Sequence, residues 1–143
     1  MESHRRYVSP ARPLVLIVDG QQDRLALYAL TLSAMGFDVL AANDTVSAFG
    51  RATAMSPDVI VTDLVLRQAS GWDLLARLKG EPSTRHIPVV MLAGMMQPGT
   101  RERALHEGCA ALLVQPCLPD RLVLELRSLL IRQHSSDQAS TGS

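Results

Sequence analysis

Two aspartates each follow a short apolar run, and their position suggests chemistry. Asp19 comes directly after residues 14–18, and Asp63 comes directly after residues 59–62. Short, continuous apolar runs are typical of strands in a parallel sheet that is covered on both faces. The carboxyl ends of parallel strands share one edge, which is where such sheets bind ligands. Two carboxylates at that edge indicate a site for a cation or a phosphoryl group.

A third apolar run, residues 89–93, ends at Ala93 and carries no polar side chain at its end. A strand in this position would reach the same edge of the sheet as the two aspartates. The pattern therefore predicts a site that is incomplete on one side.

Strand-like and helix-like segments alternate strictly over residues 14–132, which predicts a three-layer α/β domain with a parallel sheet. The predicted strands are 14–18, 37–41, 59–62, 89–92 and 110–114. The second helix is expected to open at Asp44 or Thr45. The fourth spans residues 100–107, and the fifth runs from near Pro119 to Arg132.

Composition is consistent with one domain in the cytoplasm. The chain has 143 residues, 47% of them apolar, and its 14 basic and 14 acidic residues balance. A neutral chain has no bulk attraction for nucleic acid or anionic lipid, and no apolar run is long enough to cross a membrane. We expect a flexible arm at 1–13 and a polar, disordered tail at 133–143.

Four segments carry motifs whose order and spacing are specific when taken together. They are VLIVDGQQDR at 15–24, PDVIVTDLVLRQASGWDLLARLK at 57–79, IPVVMLAG at 87–94 and GCAALLVQP at 108–116. They resemble the receiver domain of bacterial two-component response regulators. The resemblance implies the flavodoxin-like (βα)5 fold over residues 14–132, with strand order 2-1-3-4-5 and a switch point beside the first and third strands.

The same resemblance implies roles for individual residues. Asp63 falls on the phosphoacceptor position, and Asp19 falls on the first of two adjacent acids that hold Mg²⁺. The backbone carbonyl of Val65 would be a further metal ligand. In this family a histidine kinase or a small phosphodonor supplies the phosphoryl group, so a receiver modifies only itself and is not an enzyme for other substrates.

Four positions depart from the family pattern. Gly20 replaces the second acid, Ala93 replaces a hydroxyl, Gln115 replaces a lysine and Leu112 replaces an aromatic residue. Because Mg²⁺ requires near-octahedral oxygen ligation, losing an acid predicts weak binding. A hydrogen bond to a charged group contributes about 1.5 to 3 kcal/mol, against about 1 for a neutral one. We therefore predict a stand-alone, atypical receiver with impaired phosphorylation that acts by binding proteins.

The fifth helix indicates where a partner would bind. Leu124 and Ile131 are seven residues apart and lie opposite the apolar stripe that faces the sheet, with Arg127 at their flank. The family resemblance implies that this side of the domain binds partners or a second copy. A histidine kinase, a phosphotransfer protein or a downstream signalling protein would be the partner. Scattered exposed apolar residues are also ordinary, which leaves the alternative open.

Two other functions remain open at this point. The first is a phosphorylation-competent single-domain response regulator. The second is a small flavodoxin-like enzyme or ligand-binding domain that uses the same crevice. The sequence offers no Gly-rich phosphate loop and no Ser/His/Asp or Cys/His constellation in favour of the second. The family resemblance also implies a cis peptide bond between Gln115 and Pro116, which is usually a feature of a tight turn.

Overall fold

The fold is a parallel sheet between two layers of helices, seen in a computed structural model that describes residues 12–142, with side chains to Gln133. The strands of the central sheet are β1 Leu14–Val18, β2 Asp38–Ala42, β3 Val59–Asp63, β6 Val89–Ala93 and β7 Ala111–Val114. A separate hairpin pairs β4 Val65–Leu66 with β5 Ala69–Ser70. The helices are α1 Gln22–Ala34, α2 Thr45–Met55, α3 Gly71–Gly80, α4 Thr100–His106 and α5 Pro119–Gly142.

The sheet has the order β2-β1-β3-β6-β7, and every neighbouring pair in it is parallel. Because β6 and β7 are the fourth and fifth strands of that sheet along the chain, this order is the predicted 2-1-3-4-5. The flavodoxin-like fold class is therefore confirmed. The order places β1 beside β3, so the residues that follow these two strands are neighbours.

The core is divided by the sheet into two clusters, because successive strand side chains point to opposite faces. Val15 and Ile17 pack with α1 and α5 on one face, while Leu16 and Val18 pack with α2 and α3 on the other. Both faces of β1 and β3 are fully covered. This burial explains why their sequences are continuous apolar runs rather than alternating ones.

Each end of a strand lies within one residue of its predicted position. β2 begins at Asp38 rather than at position 37, because the amide of Phe37 donates to the carbonyl of Leu32 and so closes the end of α1. Gly36 makes this turn possible with a φ of +105°. The predicted opening of α2 is confirmed, since the Asp44 carboxylate accepts from the amide of Ser47 at 2.8 Å.

The predicted end of the fifth helix is wrong. The backbone of α5 continues past Arg132 to Gly142, through residues expected to be a disordered tail. No proline or glycine interrupts the chain before that point, and extending an existing helix costs far less than starting one. The expected arm at 1–13 lies largely outside the described residues, and the division into arm, domain and tail stays a prediction. Across the described part of the chain, no helix has the length and apolarity of a membrane span.

Gly71 is required by close contact with the end of β3. Its amide donates to the carbonyl of Leu64 at 2.7 Å, and a Cβ atom here would lie 2.5 Å from the carbonyl oxygen of Asp63. The methyl group of Met91 would be 2.9 Å away. Any larger residue must therefore move the backbone that carries Asp63.

We predict that Gly71→Ala lowers the free energy of unfolding by about 1 to 3 kcal/mol, the usual cost of an overpacked site. Gly50→Ala is the matched control, because Gly50 lies within α2 and a Cβ there would meet no atom within 4 Å. The control should gain up to about 1 kcal/mol in helix propensity. Urea denaturation measures both, and equal stability of the two variants would contradict the prediction.

Candidate functional site

Asp19 and Asp63 end up side by side and buried at the carboxyl edge of the sheet. β1 and β3 pair in register up to Val18 and Thr62, so the next residue of each strand emerges at the same level. The two side chains are only 1% and 5% exposed. Two carboxylates at such depth require a compensating charge, because an ionised group without a partner is costly to bury.

The compensating charge is Arg24, the third residue of α1. Its Nε atom donates to Oδ2 of Asp19 at 2.6 Å, and its Nη2 atom donates to Oδ1 of Asp19 at 2.9 Å. The same Nη2 atom donates to Oδ2 of Asp63 at 2.7 Å. Arg24 thus binds Asp19 as a fork and bridges to Asp63, which is the geometry of a strong charge-assisted contact.

Backbone amides take part in holding the remaining carboxylate positions. Oδ1 of Asp19 also accepts from the amide of Gln21 at 2.9 Å, and Oδ1 of Asp63 accepts from the amide of Val65 at a long 3.4 Å. Every carboxylate oxygen of the pair therefore has a donor within the protein. The side chain of Arg24 keeps 35% of its surface exposed, so the bridge lies at the mouth of the pocket.

The electrostatics of the pocket remain unfavourable for Asp63. Burial and the neighbouring charge of Asp19 raise the pKa of Asp63 above its ordinary value of 3.8, against the opposing effects of the Val65 amide and Arg24. The hydrogen bonds to Asp19 and the two carboxylate charges raise the pKa of Arg24, which stays protonated. The pocket contains two acids and one cation, so its charge is only partly balanced.

The residues of this pocket do not fit a divalent metal as they stand. A magnesium ion needs oxygen ligands that are free to point at it, but three carboxylate oxygens of the pair are bonded to Arg24. Gly20 adds no ligand. Among the residues that the structure describes, no cluster of three or more His, Cys, Asp or Glu side chains could hold a metal. The predicted roles of Asp19, Asp63 and the Val65 carbonyl as metal ligands stay predictions.

Gly20 is explained by the hairpin rather than by backbone strain. Its φ is not in the left-handed region. A Cβ atom at Gly20 would lie 3.3 Å from the amide nitrogen of Arg67 and 3.6 Å from the Cα atom of Leu66. The hairpin packs against this glycine, so an acid at position 20 would require the hairpin to shift by a few tenths of an ångström.

Of the other altered positions, Ala93 and Gln115 lie at the carboxyl ends of β6 and β7, while Leu112 lies within β7. Ala93 is fully buried at the end of β6, and its carbonyl accepts from the amide of Gln115 at 2.8 Å. The Gln115–Pro116 peptide is cis, as predicted. Leu112 is half-buried on β7 and packs against the core on the α3 side. Neither Ala93 nor Gln115 brings a charged group to this end of the sheet.

The predicted partner residues on α5 separate into two kinds. Leu124 and Ile131 are 67% and 66% exposed. Arg127 instead donates to the carbonyl of Met35 at 2.7 Å, and its guanidinium lies 5.0 Å from the ring centre of Phe37. Arg127 therefore ties α5 to the end of α1, while the two apolar side chains remain uncovered.

Arg24 was missed by the sequence reasoning. The available signal was a cation in the first turn of the helix that begins directly after Asp19. Cations are disfavoured there by the helix dipole, so a basic residue beside two predicted buried acids indicates pairing with them. Only the three-dimensional placement shows that one guanidinium reaches both carboxylates.

Comparison with known proteins identifies the family. A family model described as the response regulator receiver domain matches residues 15–127. The chain belongs to this family. Receiver domains act in two-component signalling, generally as signalling domains rather than enzymes. They interact with histidine kinases and downstream proteins, and they typically bind Mg²⁺ at the phosphorylation site.

The relatives cover the domain to different extents. Response regulator PleD of Caulobacter vibrioides is 31% identical over 115 residues, which is 80% of this chain but only 25% of PleD. The polar-differentiation response regulator DivK of Brucella anthropi is 28% identical over 116 residues, covering 81% of this chain and 94% of DivK. The structure of chemotaxis response regulator CheY4 of Vibrio cholerae matches 82% of this chain and 98% of CheY4, with a TM-score of 0.76 and 24% identity. This last match supports the fold alone.

We predict that Asp63→Asn stabilises this receiver domain more at high pH than at low pH. The raised pKa means that the native state binds more protons than the unfolded chain, so stability falls as pH rises from 3.8 through the folded pKa. The Asn variant avoids this loss. Its gain in free energy of unfolding over wild type should increase with pH from about 4 and then level off, as measured by urea denaturation.

Asp44→Asn is the matched control, and its effect on the free energy of unfolding should change with pH in the opposite direction. Hydrogen bonds from Ser47 lower the pKa of Asp44, so its contribution is present above 3.8 and is lost as pH falls through the folded pKa. The difference between Asp44→Asn and wild type should therefore become more negative as pH rises. A gain for Asp63→Asn that declines with pH would show that Arg24 outweighs burial.

Proposed function

We propose that this receiver domain acts in two-component signalling by binding other proteins, and that phosphorylation of Asp63 is impaired. The observation that carries the proposal is the engagement of both Asp63 oxygens, one by Arg24 and one by the Val65 amide. A carboxylate must present a free oxygen to attack a phosphoryl group. The contacts to Arg24 must therefore break before transfer can begin.

The missing groups act in the same direction. Phosphoryl transfer depends on positioning and on cations that neutralise the developing charge. Here the hydroxyl and ammonium of the family pattern are replaced by Ala93 and Gln115. A weakened metal site and two lost contacts amount to several kcal/mol, on the order of 10³-fold in the rate of transfer or the lifetime of the product.

A second candidate function is an ordinary phosphorylation switch. The observation that favours it is the retention of Asp63 at the end of β3, with Asp19 beside it. A raised pKa also makes the deprotonated Asp63 carboxylate more basic than an ordinary aspartate, and so a better nucleophile. The two functions differ in one measurable property, which is the extent of phosphorylation by a small phosphodonor.

Incubation with Mg²⁺ and acetyl phosphate, followed by intact mass measurement, tests the first proposal. We expect no stoichiometric phosphoryl adduct on wild type, and none on the Asp63→Asn control. The double variant Ala93→Thr/Gln115→Lys restores the hydroxyl and the ammonium, and it should form the adduct at least about 10-fold faster than wild type. Rapid, complete modification of wild type would instead establish the ordinary switch.

The exposed side chains of α5 supply the proposed contact surface, which includes Leu124 and Ile131. Leu105 on α4 and Val114 on the edge strand β7 are also exposed, so apolar groups recur on adjoining elements. A second copy, a histidine kinase, a phosphotransfer protein or a downstream signalling protein would bind here. We further propose that the domain works in the cytoplasm.

The double variant Leu124→Glu/Ile131→Glu should fold like wild type but lose self-association, because it places charges in an apolar contact. Val46→Glu is the matched control, since Val46 is 73% exposed on α2, which packs on the opposite face of the sheet from α5. Sedimentation equilibrium measures the fraction of dimer, and circular dichroism checks the fold. An unchanged dimer fraction in the double variant would rule out this surface as the dimer contact.

A further inference from the structure

We propose that Arg24 is the resident cation of the acid pocket and takes the position that a divalent metal would need. The folded domain then carries its own cation between the two carboxylates. The inference deepens the proposed function and rests on it, because both assign the acid pocket of a receiver domain. It makes no use of phosphoryl transfer.

The contacts of Arg24 are those a bridging cation would make. A metal shared by the two aspartates must bind at least one oxygen of each, and Arg24 already does so through one atom, Nη2, at 2.9 Å from Asp19 and 2.7 Å from Asp63. Its Nε atom takes the second oxygen of Asp19. Metal and guanidinium would therefore compete for the same oxygens, and their positive charges would repel each other.

The position of Arg24 on α1 is not one that the helix itself favours. A positive side chain in the first turn is opposed by the helix dipole. Tyr28, one turn further on the same side of the helix, is buried and donates to the carbonyl of Cys117 at 3.0 Å. Arg24 thus lies on the inward side of α1, at the point where that side meets the two acids.

The replacement of the second acid by Gly20 follows the same logic. A third carboxylate would leave three negative charges against one guanidinium. The glycine also admits the hairpin backbone at Arg67, which fills part of the space beside the pocket. The pocket thus has a cation of its own in Arg24, lacks the second acid and is bordered closely by the hairpin. These three features suit an arginine rather than a metal.

Titration of the protein with Mn²⁺, without any phosphodonor, tests the inference. Isothermal titration calorimetry should show weak, non-saturating binding for wild type. Arg24→Ala removes the competing charge and releases three carboxylate oxygens from the guanidinium, although Oδ1 of Asp19 keeps its bond from the Gln21 amide. It should bind Mn²⁺ at least about 10-fold more tightly, since unit charges about 4 Å apart already interact strongly near a protein surface.

Two further variants test whether the gain in Mn²⁺ affinity arises in the acid pocket. Arg77→Ala removes a guanidinium that lies 4.3 Å from the ring centre of Phe49, outside the pocket, and should leave Mn²⁺ binding at the wild-type level. Arg24→Ala/Asp63→Asn removes one of the two acids and should lose the affinity gained by Arg24→Ala. Persistence of the gain in this double variant would place the ion elsewhere and overturn the inference.

A stability measurement keeps the test decisive if Arg24→Ala folds poorly. The melting temperature of that variant should rise with added Mn²⁺, while that of wild type should not, because a ligand stabilises only the state that binds it. Arg24→Gln, which retains hydrogen-bond donors without charge, should behave in the same way. Failure of Mn²⁺ to bind or stabilise either variant, or equally tight binding by wild type, would overturn the inference. Phosphorylation of wild type by acetyl phosphate, combined with weak Mn²⁺ binding by wild type and tight binding by Arg24→Ala, would overturn only the proposed function.

Discussion

One guanidinium between two buried carboxylates is the interaction on which this structure depends. It connects the ends of β1 and β3 to the first turn of α1, so the sheet edge and the helix layer are held by the same contact. Without Arg24 the two buried carboxylates would face each other with no cation between them, which is unfavourable even though the guanidinium itself is 35% exposed. The identity of the residue at position 24 therefore affects both the fold and the chemistry open to Asp63.

The overall fold could be predicted because its signals lie within short segments. Apolar runs of strand length alternate with helical periodicity, and burial on both faces leaves no other arrangement for β1 and β3. The hairpin at 65–70 was not predicted, since each of its strands has only two residues. The end of α5 was also misplaced, because a polar sequence without proline carries no stop signal.

The candidate site could be predicted only in part, and the reason is geometric. Asp19 and Asp63 were found because strand ends converge at one edge, a rule that needs no side-chain positions. Arg24 and Arg127 could not be placed in this way, since a long side chain on a helix reaches groups far away in sequence. The Nη2 atom of Arg24 contacts Asp63 across 39 positions, and that of Arg127 contacts Met35 across 92.

The covalent attachment of Arg24 to the chain has a further consequence. A counter-ion that is part of the polypeptide cannot be lost by dilution or stripped by a chelator, and its local concentration does not follow the ionic composition of the cell. A signalling domain held in this way would present one surface at all times.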